Sequence, residues 1–291
     1  MFGADFTTLS KTMASYIDKL SSRNLITPPK WLKSNVLFEG VTGSVAYGVS
    51  NDSSDMDIIG FCMPPKENLF PSLYGEVAGF GTQIQRFEQF QQHHIKSLDG
   101  AKTFDITIYS IAKFFQLTME NNPNMVDALF LPRRCVLFST EIYEHVRDCK
   151  QIFLHKGCWH KFRGYAYAQL HKIDNGVNRS NEKRKAYIEE FGYDVKFAYH
   201  VLRLILECEQ ILVEHDLDLE RNSEILKSVR RGEWRLADIK NWFSDKEKDL
   251  ESVYHKSLLR YTPDEHLIKQ LLNECLEMHY GNLSNLRKEQ P

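Results

Sequence analysis

An α+β fold is what the sequence predicts: a mixed sheet with helices in the first half, then an all-helical second half. Three observations carry this. Short, β-branched, alternating runs such as VLFEGV and TFDITIYSI all fall before residue 140. Beyond about residue 140, apolar residues recur at helical spacing nearly throughout. Mixed structure followed by helices alone is also the pattern of two units, and 291 residues suit two ordinary domains better than one large one. The change of character sets them at 1–140 and 141–291.

The elements follow in order. Residues 6–23 form an amphipathic helix with Leu9, Met13, Tyr16, Ile17 and Leu20 on its apolar positions. Pro28 and Pro29 break the chain, and VLFEGV gives a first strand that runs into Gly43. A second strand runs from Asp55 to Cys62 and is closed by Pro64 and Pro65. Residues 83–95 are extended and lead to the loop SLDGAK. TFDITIYSI is a further strand and passes directly into the helix IAKFFQLTMEN. The second half predicts helices over 143–156, 160–173, 193–215, 235–259 and 264–283, the third being the longest. NRSNEKRKAYIEE is a basic loop or the exposed start of a helix, and the final LRKEQP frays.

Composition limits the function classes. With 42% hydrophobic and 26% charged residues the chain is a folded globular protein. Its 37 Lys+Arg against 39 Asp+Glu give a formal charge of -2, so broad electrostatic gripping of duplex DNA is excluded and any nucleic-acid contact is local. A membrane span and a signal peptide are not expected, because no run of about 18 apolar residues exists and MFGADFTTLSKTM is mixed and polar. The six cysteines form no CxxC pair, which predicts free thiols in a reducing cytoplasm rather than a zinc site or disulfides.

The stretch VTGSVAYGVSNDSSDMDIIG concentrates the chemistry. Asp55 and Asp57 point to one face of a strand, roughly 7 Å apart, while Met56 and Ile58 point to the other. Two such carboxylates repel unless a cation lies between them, and magnesium suits oxygen ligands while leaving room for phosphates. Gly43-Ser44 follows a strand and precedes a candidate helix, where a close backbone and free N–H groups accept an anion. Asp105 in TFDITIYSI is the third candidate carboxylate, sharing its face with Thr107 and Tyr109 while Phe104, Ile106 and Ile108 pack the other. An isolated Asp-x-Asp is usually turn chemistry. What argues for a site is the conjunction of strand, Gly-Ser, ten-residue spacer, Asp-x-Asp, strand and a later strand with Asp105.

GSVAYGVSNDSSDMDII resembles the signature of the nucleotidyltransferase superfamily that includes DNA polymerase β. The fuller GSVAYG…SDMDIIG is similar to its RNA-repair-pathway polymerase-β-like (RlaP) branch. NPNMVDALF, FRGYAYAQLHKI, GYDVKFAYHVLRLI and SLLRYTPD extend the resemblance over about residues 36–275. It implies a polymerase β-like sheet, with a helical domain closing the nucleotide cleft. It also implies that Asp55, Asp57 and Asp105 carry two Mg²⁺ ions (Mn²⁺ as the substitute), that Ser44 and its backbone hold the terminal phosphates, and that Asp105 lies nearest the attacking hydroxyl. The implied reaction moves a nucleoside monophosphate from a nucleoside triphosphate to a hydroxyl, with release of pyrophosphate.

Cations for the triphosphate are expected from the longest helix. Lys196, His200 and Arg203 fall at i, i+4 and i+7, with Tyr193 at i−3 continuing the stripe, beside an apolar stripe of Val195, Ala198, Leu202, Ile205 and Leu206. The plain alternative is a surface stripe, with Asp194 pairing to a neighbouring cation. Lys172 is a candidate of the same kind, and Tyr47 is placed where a base or ribose could rest. Arg179, Lys183, Arg184 and Lys185 are either a steering cluster or a solvated loop, and His93-His94 read as polar surface facing opposite ways. The acceptor is an RNA end on the resemblance, with a protein or small-molecule hydroxyl as the alternative. The rival of another class is an inactive nucleotide sensor or scaffold.

Overall fold

The computed structural model describes residues 14–50, 56–83, 85–96, 103–176 and 182–281, without the side chains of 182 and 183. Before the sheet come α1 (Tyr16–Ser22) and the single turn α2 (Leu32–Asn35). The sheet-bearing part holds β1 (Val36–Val41), β2 (Met56–Cys62), the single turn α3 (Lys66–Leu69), β3 (Gln89–Lys96) and β4 (Thr103–Ser110), then α4 (Ile111–Met119), α5 (Pro123–Leu129) and β5 (Val136–Ser139). The remainder is helical: α6 (Glu141–Asp148), α7 (Cys158–Asp174), α8 (Glu182–Phe191), α9 (Val195–Glu214), α10 (Ser223–Arg230), α11 (Leu236–Lys256) and α12 (Glu265–Tyr280). This is an α+β chain, and none of the described helices is long and apolar enough to cross a membrane.

The five-stranded sheet has the order β3-β4-β2-β1-β5 and is mixed: β2 and β4 are parallel, the other pairings antiparallel. Side chains two apart on a strand share a face, and the two faces have different partners. Ile58, Ile106 and Ile108 pack with Ile17, Leu20 and Leu32 of α1 and α2. Ile59 and Phe61 face the helices, in a cluster that includes Phe114, Tyr143 and Trp159 and continues to Leu276. Glu39, fully buried in β1, accepts hydrogen bonds from the Tyr16 and Ile17 amides and so ties the start of α1 to the sheet. Burial pushes its carboxyl pKa up, against the pull of those amides. We keep the division at residue 140 as a proposal about topology, because the apolar cluster crosses it without interruption.

Three local differences from the sequence reading have physical causes. The 193–215 helix begins at Val195, because Asp194 caps it by accepting from the Lys196 and Phe197 amides. Tyr193 therefore lies outside α9 rather than on its stripe, buried, with its hydroxyl donating to the Trp234 carbonyl at 2.6 Å. The 143–156 prediction merges α6 with the separate 3₁₀ turn at Lys150–Phe153. β5 and α10 carried too few residues to register as periodic runs.

Candidate functional site

The odd-numbered side chains of β2 and β4 face the helices, and Asp57 is registered directly opposite Asp105 in the parallel pairing. They open into a cavity of about 320 Å³ whose other walls come from the Gly43 turn, β3, α5 and α9. Asp55 lies outside the described residues. Among those described, no group of three or more His, Cys, Asp or Glu side chains gathers as a metal site.

Gly43 opens a 3₁₀ turn with φ +67°, which glycine adopts without penalty. A Cβ there would stand 2.7 Å from Asp57 Oδ2, so the missing side chain is what lets the turn and the carboxylate lie together. The turn is closed by Tyr47 N–H on the Gly43 carbonyl and Val49 N–H on the Ser44 carbonyl. Two arginines hold it as well: Arg134, just before β5, donates to the Val45 carbonyl at 2.8 Å, and Arg230 of α10 to that of Val49. Gly43 lines the cavity; Ser44, half-buried in the same turn, is not among its lining residues.

Asp105 is held from the edge strand. The register of β3 against β4 shifts between Gln92 and Ile95, with His94 at φ +55°. His93 and His94 are exposed, as the sequence predicts, but the bulge also brings both against Asp105. The His94 amide donates to Asp105 Oδ1 at 2.7 Å, and His93 Nδ1 lies 3.0 Å from Oδ2. Partial burial raises the Asp105 pKa, but the hydrogen bonds from His94 and His93 outweigh it, and the net shift is downward. The one sequence trace of the bulge is the odd spacing of Phe90 and Ile95, which pack on the same face of the sheet.

The floor is a buried network that the sequence reading missed. Asp127 Oδ2 accepts from Tyr47 Oη at 2.6 Å and from the Arg203 guanidinium. Arg203 also donates to both Glu207 oxygens, at 3.2 and 3.1 Å, and lies over the Tyr47 ring 4.5 Å from its centroid. Two carboxylates thus share one guanidinium, and burial raises both of their pKa values. Asp127 Oδ1 and Arg203 Nε have no hydrogen-bond partner among the described residues. Arg203 was expected as a cation offered to phosphate; instead its charge is spent on Asp127 and Glu207. Tyr47 was expected to bear a base or ribose; instead it lies beneath Arg203 and is 3% exposed.

The remaining candidates divide. His200 lines the cavity, and burial together with the cations around it holds its pKa well below the usual histidine value. Lys196 is exposed on α9 and Lys172 sits 5.5 Å from the Phe197 ring; neither lines the cavity. Arg184 pairs with Asp194 at 2.6 Å and stacks on Phe197, and Lys185 pairs with Glu189 on the surface. Arg179 and the Lys183 side chain lie outside what is described.

No curated protein matches the chain. A solved structure, a nucleotidyltransferase-like protein from Exiguobacterium sibiricum 255-15, aligns with 92% of this chain and 73% of that one at 11% identity. Its TM-score is 0.30, a likeness too slight to carry any argument. The family comparison is of another order, spanning the strands, the Gly43 turn, both described aspartates and the helical half. With residues 14–275 matched, the chain belongs to the RNA repair pathway DNA polymerase beta family, RlaP.

Proposed function

We propose that the cavity is the active site of a magnesium-dependent nucleotidyltransferase, which moves a nucleoside monophosphate from a nucleoside triphosphate to an acceptor hydroxyl, and that an RNA end is the favoured acceptor. The observation that carries this is the registered pair Asp57–Asp105 on adjacent parallel strands, with Gly43 packed against the Asp57 carboxylate. Family membership supports the same reading.

The donor set fits a hard cation. Among the described residues Asp105 Oδ1 accepts from the His94 amide and Oδ2 lies 3.0 Å from His93 Nδ1, which leaves each oxygen a lone pair for ligation. Asp57 and Asp105 would hold Mg²⁺, joined in our reading by Asp55. Bound there, Mg²⁺ neutralises the triphosphate and lowers the pKa of the acceptor hydroxyl. With Arg203 already paired, the chain itself offers the phosphates little positive charge from the cavity floor. The Gly43 turn supplies a close backbone for the terminal phosphates, and the His93–Asp105–His94 clamp fixes the carboxylate beside the attacking oxygen.

The test is incubation of the full chain with each of the four NTPs labelled at the α-phosphate, Mg²⁺ and RNA, protein or small-molecule acceptors. Transfer with pyrophosphate release, lost in Asp57→Asn and Asp105→Asn, is the expected result. Nucleotide binding without release under every condition would replace the enzyme with a nucleotide sensor.

A further inference from the structure

The cavity has two chemically different ends. At one, the Gly43 turn stands against Asp57. At the other, the edge strand β3 contributes Gln91 and His93, and β4 contributes Thr107 and Tyr109. Thr107 and Tyr109 share the face of Asp105, and Gln91 is registered opposite Thr107. From Asp105 to Tyr109 this wall runs roughly 13 Å along β4. Asn124 of α5 lines the same cavity. Gln91, Thr107, Tyr109 and Asn124 are neutral donors and acceptors. Arg203 is the single Lys or Arg among the described lining residues, and it is engaged by Asp127 and Glu207.

The direction of attack follows from the transferase reading. In-line displacement brings the attacking oxygen to phosphorus opposite the leaving pyrophosphate. With the triphosphate tail at the Gly43 turn, the attacker arrives from the β3 side. A phosphodiester on that wall would meet no Lys or Arg of β3 or β4 among the described lining residues, whereas amide and hydroxyl side chains match the hydroxyls of a sugar. From this we infer that the β3–β4 wall is an acceptor subsite for an uncharged vicinal diol, with one hydroxyl at Asp105 and its neighbour held by Gln91 and Thr107. As the acceptor O–Pα bond forms, the Pα–O bond to pyrophosphate breaks and its electron pair leaves with pyrophosphate. The hydroxyl proton is released to solvent.

Such a diol is offered by a free sugar or by the terminal ribose of an RNA. Two probes separate these sources in EDTA, where no transfer occurs: methyl ribofuranoside followed by saturation-transfer NMR, and a 5′-fluorescent tetraribonucleotide followed by anisotropy. Each is compared with its counterpart lacking both hydroxyls. The intact diol is expected to bind at least about fivefold tighter, the scale of one net hydrogen bond. Thr107→Val and Gln91→Leu, both conservative in volume, should each shrink that ratio. Diol dependence in both probes identifies a sugar site that RNA also enters; dependence in the oligonucleotide alone identifies the RNA terminus as the source. Equal binding with and without the diol in both probes, or a ratio unchanged in both variants, overturns the subsite. Diol dependence that persists while no NTP is turned over removes the transferase reading and leaves the subsite standing.

Discussion

Arg203 of α9 and Asp127 of α5 form an ion pair with only 5% and 1% of their side chains exposed. Such a pair is costly to bury and costlier to halve, because the survivor becomes an uncompensated charge. Arg203→Met leaves Asp127 and Glu207 facing one another and is expected to lower the unfolding free energy by about 3–5 kcal/mol. Tyr47→Phe removes a single donor from the same carboxylate and should cost about 1–3 kcal/mol. Urea denaturation of both variants measures the difference. A loss below 1 kcal/mol for Arg203→Met, on the order of a surface pair, would refute the buried network.

Gly43→Ala combines a left-handed backbone with a Cβ placed against Asp57. The backbone conformation alone is worth about 1–2 kcal/mol. The larger effect is expected on nucleotide affinity, since the turn and the carboxylate must separate. Calorimetric titration with a non-hydrolysable NTP checks this, and unchanged affinity would count against the turn as a phosphate cradle.

Magnesium should stabilise the folded chain by an amount that grows with the logarithm of its free concentration above Kd. At free Mg²⁺ a hundred times its Kd, linkage adds about 2.7 kcal/mol. EDTA should reverse the gain, and Asp57→Asn or Asp105→Asn should abolish it while leaving the metal-free melting point nearly unmoved. A gain of equal size in either variant would place the ion elsewhere.

His200 gives the molecule a pH dependence of predictable sign. Burial first, then the charges of Arg203, Lys196, Arg184 and Arg230, depress its pKa, so the unfolded chain binds its proton more readily than the folded one. The contribution to stability is complete above the unfolded pKa of about 6.5 and is lost as pH falls below it, at up to about 1.4 kcal/mol per pH unit. His200→Gln should flatten that slope between pH 6.5 and 5 in denaturation curves. A slope identical to that of the parent chain would show that the group is not held neutral.

The regular elements were legible because their signals are local. β4 and its passage into α4 are an alternating run that turns helical, and the 3.6-residue period marks α7, α9, α11 and α12. The pairing of Asp57 with Asp105 follows from strand alternation plus a sheet order that only the structure supplies. The floor was not legible for a related reason. Asp127 occurs in NPNMVDALF without any spacing that ties it to Tyr47 or Arg203, 80 and 76 residues away in the chain. A polar stripe on α9 looks the same whether it meets phosphate or a buried carboxylate. The β3 bulge was hidden because Gln91 to His94 are all polar, and its one trace is the odd, five-residue spacing of Phe90 and Ile95, which pack on the same face.

The apolar cluster that runs from the sheet through α9 to α12 has a mechanical consequence. Halves joined by continuous packing resist swinging like jaws, since hinge rotation would open buried apolar surface. On the transferase reading, substrate capture then works on a fixed mould, with the entropy of arrangement met at folding rather than at each turnover.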